Sequence, residues 1–324
     1  MGNYFNSAAL SFPEVDEKRF RIFDSFAPLD LSTKAIYDAC AAKIPEALTS
    51  PSYFQCLYAW NFTAVSEYKI LCGYLCVVTH DTLEGTIFAQ PPIGLYSPEA
   101  FEETIDALYR KFIDAGLACV FREVPCFMLP YFSCLPLYDV HIDHDVDWSD
   151  YMFTKEDFAA GITKRSSREA IRNFEKKCRP SARELSSSDA NEAVAVTKRY
   201  YCNGRNCSEC FCGCEVTVVS RLMGAYESLD LAGIVVETGG EPVGFGIVCF
   251  QKDTIYFISK KVKRSLKGLN EFLNVELMNR FGGGSKYVNY SEDMGNEGLR
   301  FYKSRLGKYR LSHRHVVSLT RRDA

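Results

Sequence analysis

The stretch KYVNYSEDMGNEGLRFYK, residues 286–303, decides how the chain is read. It begins as a short apolar strand through Tyr287, Val288 and Tyr290, and breaks at Ser291, Glu292 and Asp293. It restarts as a helix with Leu299 and Tyr302 three apart on one face. Two adjacent carboxylates therefore fall at a strand-to-helix junction. In α/β folds, crevices outside the carboxyl ends of strands are where ligands bind. The same carboxylates also suit a plain capping role at the positive end of the helix. Asn289 before them and Arg300 and Lys303 after them make a functional site the alternative to capping.

Working back from this stretch, residues 231–237, 241–250 and 255–261 read as three antiparallel strands, turning at Gly239-Gly240 and at 251–254. A helix over 265–281 follows, entered from the basic turn KKVKRSLKG and stopped by Gly282-Gly283-Gly284. The last strand covers 309–319. The second half thus reads β-β-β-α-β-α-β. Ahead of it, residues 163–177 form a helix with two faces. Arg165, Arg168, Arg172 and Lys176 fall at i, i+3, i+7 and i+11, one basic stripe opposite Ala170, Ile171 and Phe174. Such a stripe is either a solvated face or a contact for phosphate or nucleic acid. Further helices are expected over 190–200 and 215–229.

The first half carries helical spacing over 32–44 and 52–62, a hairpin pivoting near Gly73, and a short strand over 84–89. The helix over 97–115 has Ser97 as N-cap, Pro98 in the first turn and Gly116 as stop. Residues 117–122 read as a strand. His141, Asp143, His144, Asp145 and Asp147 form a polar run that reads as a solvated linker, with a metal site as the lesser alternative. The length of 324 residues suits two domains. The division is expected at 149/150.

Net charge of −3 hides an asymmetry. Residues 1–150 hold 9 Lys/Arg against 21 Asp/Glu, a balance of −12, so the remainder holds 29 against 20, a balance of +9. Such a split suggests that the second half meets an anion such as a phosphate-bearing cofactor or RNA, or that the halves attract each other. No stretch is apolar for long enough to cross a bilayer, the N-terminus lacks a signal-peptide pattern, and a cytoplasmic protein is expected. The 14 cysteines then read as free thiols. Five of them, Cys202, Cys207, Cys210, Cys212 and Cys214, form a cluster whose first three have C-x4-C-x2-C spacing. It reads as a thiol-rich loop or, alternatively, a metal site.

LAGIVVETGGEPVGFGI, FISKKVKRSLKGLNEFLN and YVNYSEDMGNEGLRFYK resemble a bacterial family built on the C-terminal domain of phosphatidylglycerol lysyltransferase. The resemblance is strong from about residue 150 onward and weaker before it, where FREVP and the Tyr58–Trp60 region match. It implies an α/β (α+β) fold of two tandem GNAT-like domains, residues 1–149 and 150–324, each a mixed, mostly antiparallel sheet flanked by helices. Glu292, Asp293, Gly295, Glu297, Gly298, Leu299 and Arg300 carry its most specific motif. Lys261, Gly268, Asn274, Arg168, Ile171 and Phe174 also fall on the family's pattern. The chain departs from that pattern at Glu169 and Arg172, where asparagines are usual, and at Ile258 and Lys260, where a histidine and a glutamate are usual. The turn KRSLKGLN offers one glycine in place of the acetyl-CoA loop Gln/Arg-x-x-Gly-x-Gly/Ala. The membrane-spanning part of the lysyltransferase has no counterpart here, so a lipid acceptor is not implied.

The function expected on these grounds is acyl or aminoacyl transfer from a CoA thioester or a charged tRNA to an amine or hydroxyl of a small-molecule or peptide acceptor. Glu292 or Asp293 would be the base or hold the acceptor. Lys261, Lys267 and the Gly268 backbone would hold donor phosphates with Asn274 nearby, and Arg168, Arg172 and Arg300 would supply further anion contacts. The competing expectation is a non-catalytic module binding RNA, nucleotide or an anionic metabolite in the basic cleft.

Overall fold

The computed structural model describes residues 21–44, 46–202 and 214–322. The strands are β1 (Ala27–Pro28), β2 (Ala64–Leu71), β3 (Tyr74–Asp81), β4 (Thr86–Ala89), β5 (Cys119–Pro125), β6 (Tyr138–Thr154), β7 (Ser181–Glu184), β8 (Ala232–Thr238), β9 (Glu241–Gln251), β10 (Thr254–Val262), β11 (Tyr287–Asn289) and β12 (Tyr309–Arg321). All twelve join one sheet in the order β1-β2-β3-β4-β5-β12-β6-β11-β10-β9-β8-β7. The expected α/β class, with mostly antiparallel strands flanked by helices, is what the chain adopts. Two tight hairpins follow from turn chemistry. Cys72 and Gly73, like Gly239 and Gly240, take positive φ at both central positions, as a two-residue hairpin turn requires.

The sheet repeats one pattern twice. β1 to β4 are antiparallel neighbours, β4 steps to β5 in parallel, and β5 is flanked by β12. β7 to β10 are likewise antiparallel, β10 steps to β11 in parallel, and β11 is flanked by β6. In sequence, β6 follows β5 and β12 follows β11. Each half therefore lends its last strand to the other, and the two lent strands pair with each other from Tyr309↔Phe153 to Arg321↔Tyr138. The 149/150 step falls inside β6.

This overturns the linker expectation for residues 141–147. The run is part of a strand: Asp139, His141 and Asp143 alternate with Val140 and Ile142, but Ile142 is exposed like its polar neighbours, so both faces meet solvent here. Among the described residues no group of three or more His, Cys, Asp or Glu is arranged to hold a metal. Cys207, Cys210 and Cys212 lie outside the described residues. Cys202 and Cys214 are half-buried.

At the centre of the sheet the exchanged strands enclose Arg314, which is 2% exposed. Its guanidinium pairs with Glu123 on β5 at 3.2 Å, Glu292 beyond β11 at 2.9 Å, and Asp150 on β6. It also donates to the Ser50 hydroxyl at 2.9 Å. Asp150 in turn accepts from the Ser50 N–H and hydroxyl and from Asn289. Burial pushes the Asp150 carboxyl upward, but Arg314, Asn289 and Ser50 outweigh it and hold the group below the usual carboxylate range. Glycines set a second constraint. A Cβ on Gly161 would lie 1.7 Å from Leu306 O, so the helix Lys155–Ile162 touches the 306–307 backbone directly.

Two outcomes are expected in urea unfolding. Arg314→Met strands three carboxylates and should lower stability by about 3–5 kcal/mol; a loss under about 1 kcal/mol would show that the hub is not holding the sheet together. Gly161→Ala forces a backbone–backbone clash and should lower stability by about 1–3 kcal/mol or more; an unchanged midpoint would refute the close approach.

Candidate functional site

β10 and β11 run side by side for only three residue pairs, Thr254↔Tyr287 to Tyr256↔Asn289. Beyond Asn289 the chain follows β6: Tyr290 N–H donates to Tyr151 O at 2.9 Å, and Tyr151 N–H to Ser291 O at 3.1 Å. β10 instead continues along β9 to Val262↔Gly244. A wedge opens between the diverging strands, and polar side chains fill it. Lys260 Nζ donates to Asn274 Oδ1 at 2.7 Å, contacts the Tyr290 hydroxyl, and stands 3.5 Å from the Tyr302 hydroxyl. Asn274 Nδ2 donates to the Tyr302 hydroxyl at 3.1 Å, and Tyr290 OH donates to Asn274 Oδ1 at 3.0 Å.

Lys260 is packed under aromatic rings, its amine 4.9 Å from the centre of Tyr290 and 5.6 Å from that of Tyr302. Burial lowers its pKa to about 7. Glu271 opposes the shift and Lys303 adds to it. A lysine poised near neutrality can exchange a proton where an ordinary lysine stays charged.

In front of the wedge lies a cavity of about 250 Å³. Asn274, Tyr302 and Glu271 form one wall, and Lys164, Ser167 and Arg305 help form the other. A wider groove of about 510 Å³ adjoins the basic helix, Arg165–Cys178, and is lined by Thr163, Arg168, Ile171, Arg172 and Val275. Where β4 and β5 diverge, Tyr74, Tyr96, Phe101, Phe127 and Tyr131 pack together, with Tyr96 and Tyr131 ring centres 5.0 Å apart.

The structure distributes the sequence-derived candidates unevenly. Asn274 is in the cavity wall, and Arg168 and Arg172 line the groove. Lys267 is exposed. Lys261 faces the opposite side of the sheet from Lys260, as successive strand residues do. It pairs there with Glu215 at 3.0 Å and lies 4.2 Å above the ring of Tyr201. Gly268 is a packing glycine: with φ +93°, a Cβ there would meet Ala170 O at 2.3 Å. The basic helix thus crosses directly over the turn expected to hold phosphate.

Glu292 and Asp293 line neither cavity. The helix Glu297–Ser304 is capped by Asn296, whose side chain accepts from Leu299 N–H at 3.0 Å. Asp293 is 4% exposed and accepts from Tyr151 OH at 2.6 Å, Gly295 N–H at 2.9 Å, and Arg300 at 2.9 and 3.0 Å. Burial raises its pKa, but Arg300, Tyr151 and Gly295 prevail and hold it low. Arg300 also reaches Asp147 at 2.7 Å. Glu292 is tied to Arg314. Lys303 bonds the carbonyls of Tyr290 and Glu292, fixing the helix to the turn; burial lowers its pKa to about 8. Sequence reasoning noted Lys260 only as a departure from the family pattern and did not place it in the site. The strand TIYFISKKV gave no signal to place it there: strict alternation groups Lys260 with Tyr256 and Ile258, and the bulge between Phe257 and Ser259 is what turns it to the side of Phe257.

Among solved structures, the chain is similar to a conserved protein of unknown function from Bacteroides thetaiotaomicron VPI-5482, with 18% identity over 91% of this chain and 99% of that one, TM-score 0.82. It is similar to L-PGS from Bacillus licheniformis, with 13% identity, 89% and 92% coverage and TM-score 0.62. FemX gives 10% identity, 88% and 95% coverage and TM-score 0.62. At these identities the likeness is one of fold. A comparison with curated proteins returns no match. The model of the family described as "Phosphatidylglycerol lysyltransferase, C-terminal" matches residues 46–307, and the chain belongs to that family.

Proposed function

We propose that the chain is an acyltransferase of the aminoacyl-transferring kind, working from the cavity in front of the β10/β11 wedge. Membership of a lysyltransferase family makes acyl transfer the general chemistry. The observation that carries the assignment to this site is the half-buried Lys260, its amine bonded to Asn274 and 3.5 Å from the hydroxyl of Tyr302, two residues that line the cavity. The donor is a charged tRNA or an acyl thioester, and the acceptor an amine or hydroxyl.

In this reading the acceptor enters the cavity with its nucleophilic atom against the Tyr302 hydroxyl. As it attacks the donor carbonyl, its proton passes to Tyr302, whose own proton moves to the neutral Lys260 amine. The departing thiolate or ribose oxygen is protonated in turn. Tyr302 touches the reacting atoms; Lys260 and Asn274 position and recharge it. Most of the rate comes from placement in a water-poor cleft. Arg168 and Arg172 lend a cationic track to an anionic donor. Glu292 and Asp293, satisfied by Arg314 and Arg300, hold the 290–292 turn against the two lent strands. They support the site rather than act as its base.

Donor loss from charged tRNA and acyl-CoA, followed with and without amine acceptors, tests this. Lys260→Met should cut donor consumption by roughly a hundredfold or more, with retained secondary structure by circular dichroism showing that the loss is not unfolding. The neutral amine is the working form. The wild-type rate should therefore fall about tenfold per pH unit below about 7 and level off above it. A Lys260→Met enzyme of full activity, or a flat profile from pH 5 to 8, would sink the assignment. Donor binding with no donor loss in the wild type would make the cleft a binding module instead.

A further inference from the structure

The N-terminus of the basic helix is built against the usual rule. Helices begin with a side chain that accepts from the first free N–H groups, and with acids in the first turn. Here the N-cap is Lys164, which accepts nothing; no acid stands in the first turn, and N1 is Arg165. The preceding Thr163 hydroxyl, which could have capped, donates to Ala159 O at 2.7 Å. Arg165 turns outward to Glu169 at 2.9 Å. The free N–H groups of the first turn thus gather at the positive end of a 14-residue helix beside Lys164, whose ammonium also bonds the Arg305 carbonyl.

This end opens into the 250 Å³ cavity, whose lining includes Lys164, Ser166, Ser167 and Arg305. Ser167 is only 8% exposed, lines the cavity and makes no side-chain hydrogen bond among the described residues. Its hydroxyl is therefore free to bond whatever occupies the cavity. Glu271 is the cavity's one carboxylate, on the wall beside Asn274.

We propose that this end of the cavity binds a phosphate group, held by the Ser166 and Ser167 N–H groups, the Ser167 hydroxyl, Lys164 and Arg305. An anion here supplies the missing cap, meets Lys164 and bonds the Ser167 hydroxyl in one step. The turn at Gly268, covered by Ala170, is closed to that role. The phosphate belongs to the nucleotide part of the acyl donor, and this assignment rests on the transferase reading; phosphate binding itself does not.

Thermal shift and calorimetry with inorganic phosphate, AMP, adenosine and ionic-strength-matched chloride test the site. Phosphate and AMP should raise the melting temperature, with AMP the tighter, while adenosine and chloride leave it unmoved. Ser167→Ala should weaken both ligands roughly five- to tenfold. Ser167→Asp, which brings its own carboxylate to N3, should raise the melting temperature unaided and abolish the phosphate shift. Lys176→Ala, at the far end of the helix, should bind as wild type does. No phosphate shift in the wild type, an equal shift with chloride, or an undiminished shift in Ser167→Ala would overturn the site. Equal affinity for phosphate and AMP would overturn the nucleotide source and keep the phosphate. Phosphate binding without donor consumption counts against the transferase alone, and donor consumption without phosphate binding against this site alone.

Discussion

A single guanidinium facing three carboxylates in the middle of a sheet is an expensive arrangement, tolerable only because every partner comes from a different part of the chain. Arg314 lies on β12, Glu123 on β5, Asp150 on β6 and Glu292 just after β11. Ser50 adds a fifth attachment from the loop before the helix Phe54–Trp60. Desolvating these charges costs several kcal/mol per ion unless the geometry and hydrogen bonds are good. That condition ties the exchange of strands to one register. Sliding β12 by a single residue against β6 would turn Arg314 to the other face and leave three buried acids without a counterion.

The exchange leaves the two halves with the same structural problem and different solutions to it. Both halves contain a parallel step from which strands diverge, and both must fill the resulting wedge. The first half fills it mainly with packed rings, those of Tyr74, Tyr96, Phe101, Phe127 and Tyr131. The second fills it with Lys260, Asn274, Tyr290 and Tyr302, a polar network whose members satisfy one another and of which Asn274 and Tyr302 line the cavity. Buried polar networks of this kind are stable only when complete. Completeness here depends on the 290–292 turn, held by Lys303 and by Glu292 on Arg314. The hub and the cavity are therefore connected through two residues of backbone.

Much of the second half was legible in the sequence because its signals are local. Paired glycines at 239–240 dictate a tight hairpin, and the three strands and the helix Leu269–Phe281 sit close to where periodicity puts them. β6 was hidden because half its residues are polar and face outward, so a strand of 17 residues looked like a charged linker. The lending of β6 and β12 was not legible at all: strand order is a property of non-local pairing, and no short window contains it. Among the residues that line the two cavities, Asn274 was singled out by the family resemblance and Arg168 and Arg172 by the charge stripe. Lys260 and Lys261 are adjacent cations that a strand must send to opposite faces, and the resemblance pointed to Lys261, the one that ends beside Glu215. Ser167 carried no signal, since its significance is a hydroxyl free to bond a ligand.

The position of β12 has a bearing on biosynthesis. β5 is flanked by β4 on one side and by β12 on the other, yet roughly 180 residues separate β5 from β12 in sequence. While the ribosome is making that interval, the first half has its helices and its aromatic core but an open edge along β5, the kind of edge on which strands of neighbouring chains pair. The nascent protein must either be chaperoned through that interval or shield β5 by other means. Only when residues 309–321 emerge can the sheet be sealed and Arg314 reach its acids.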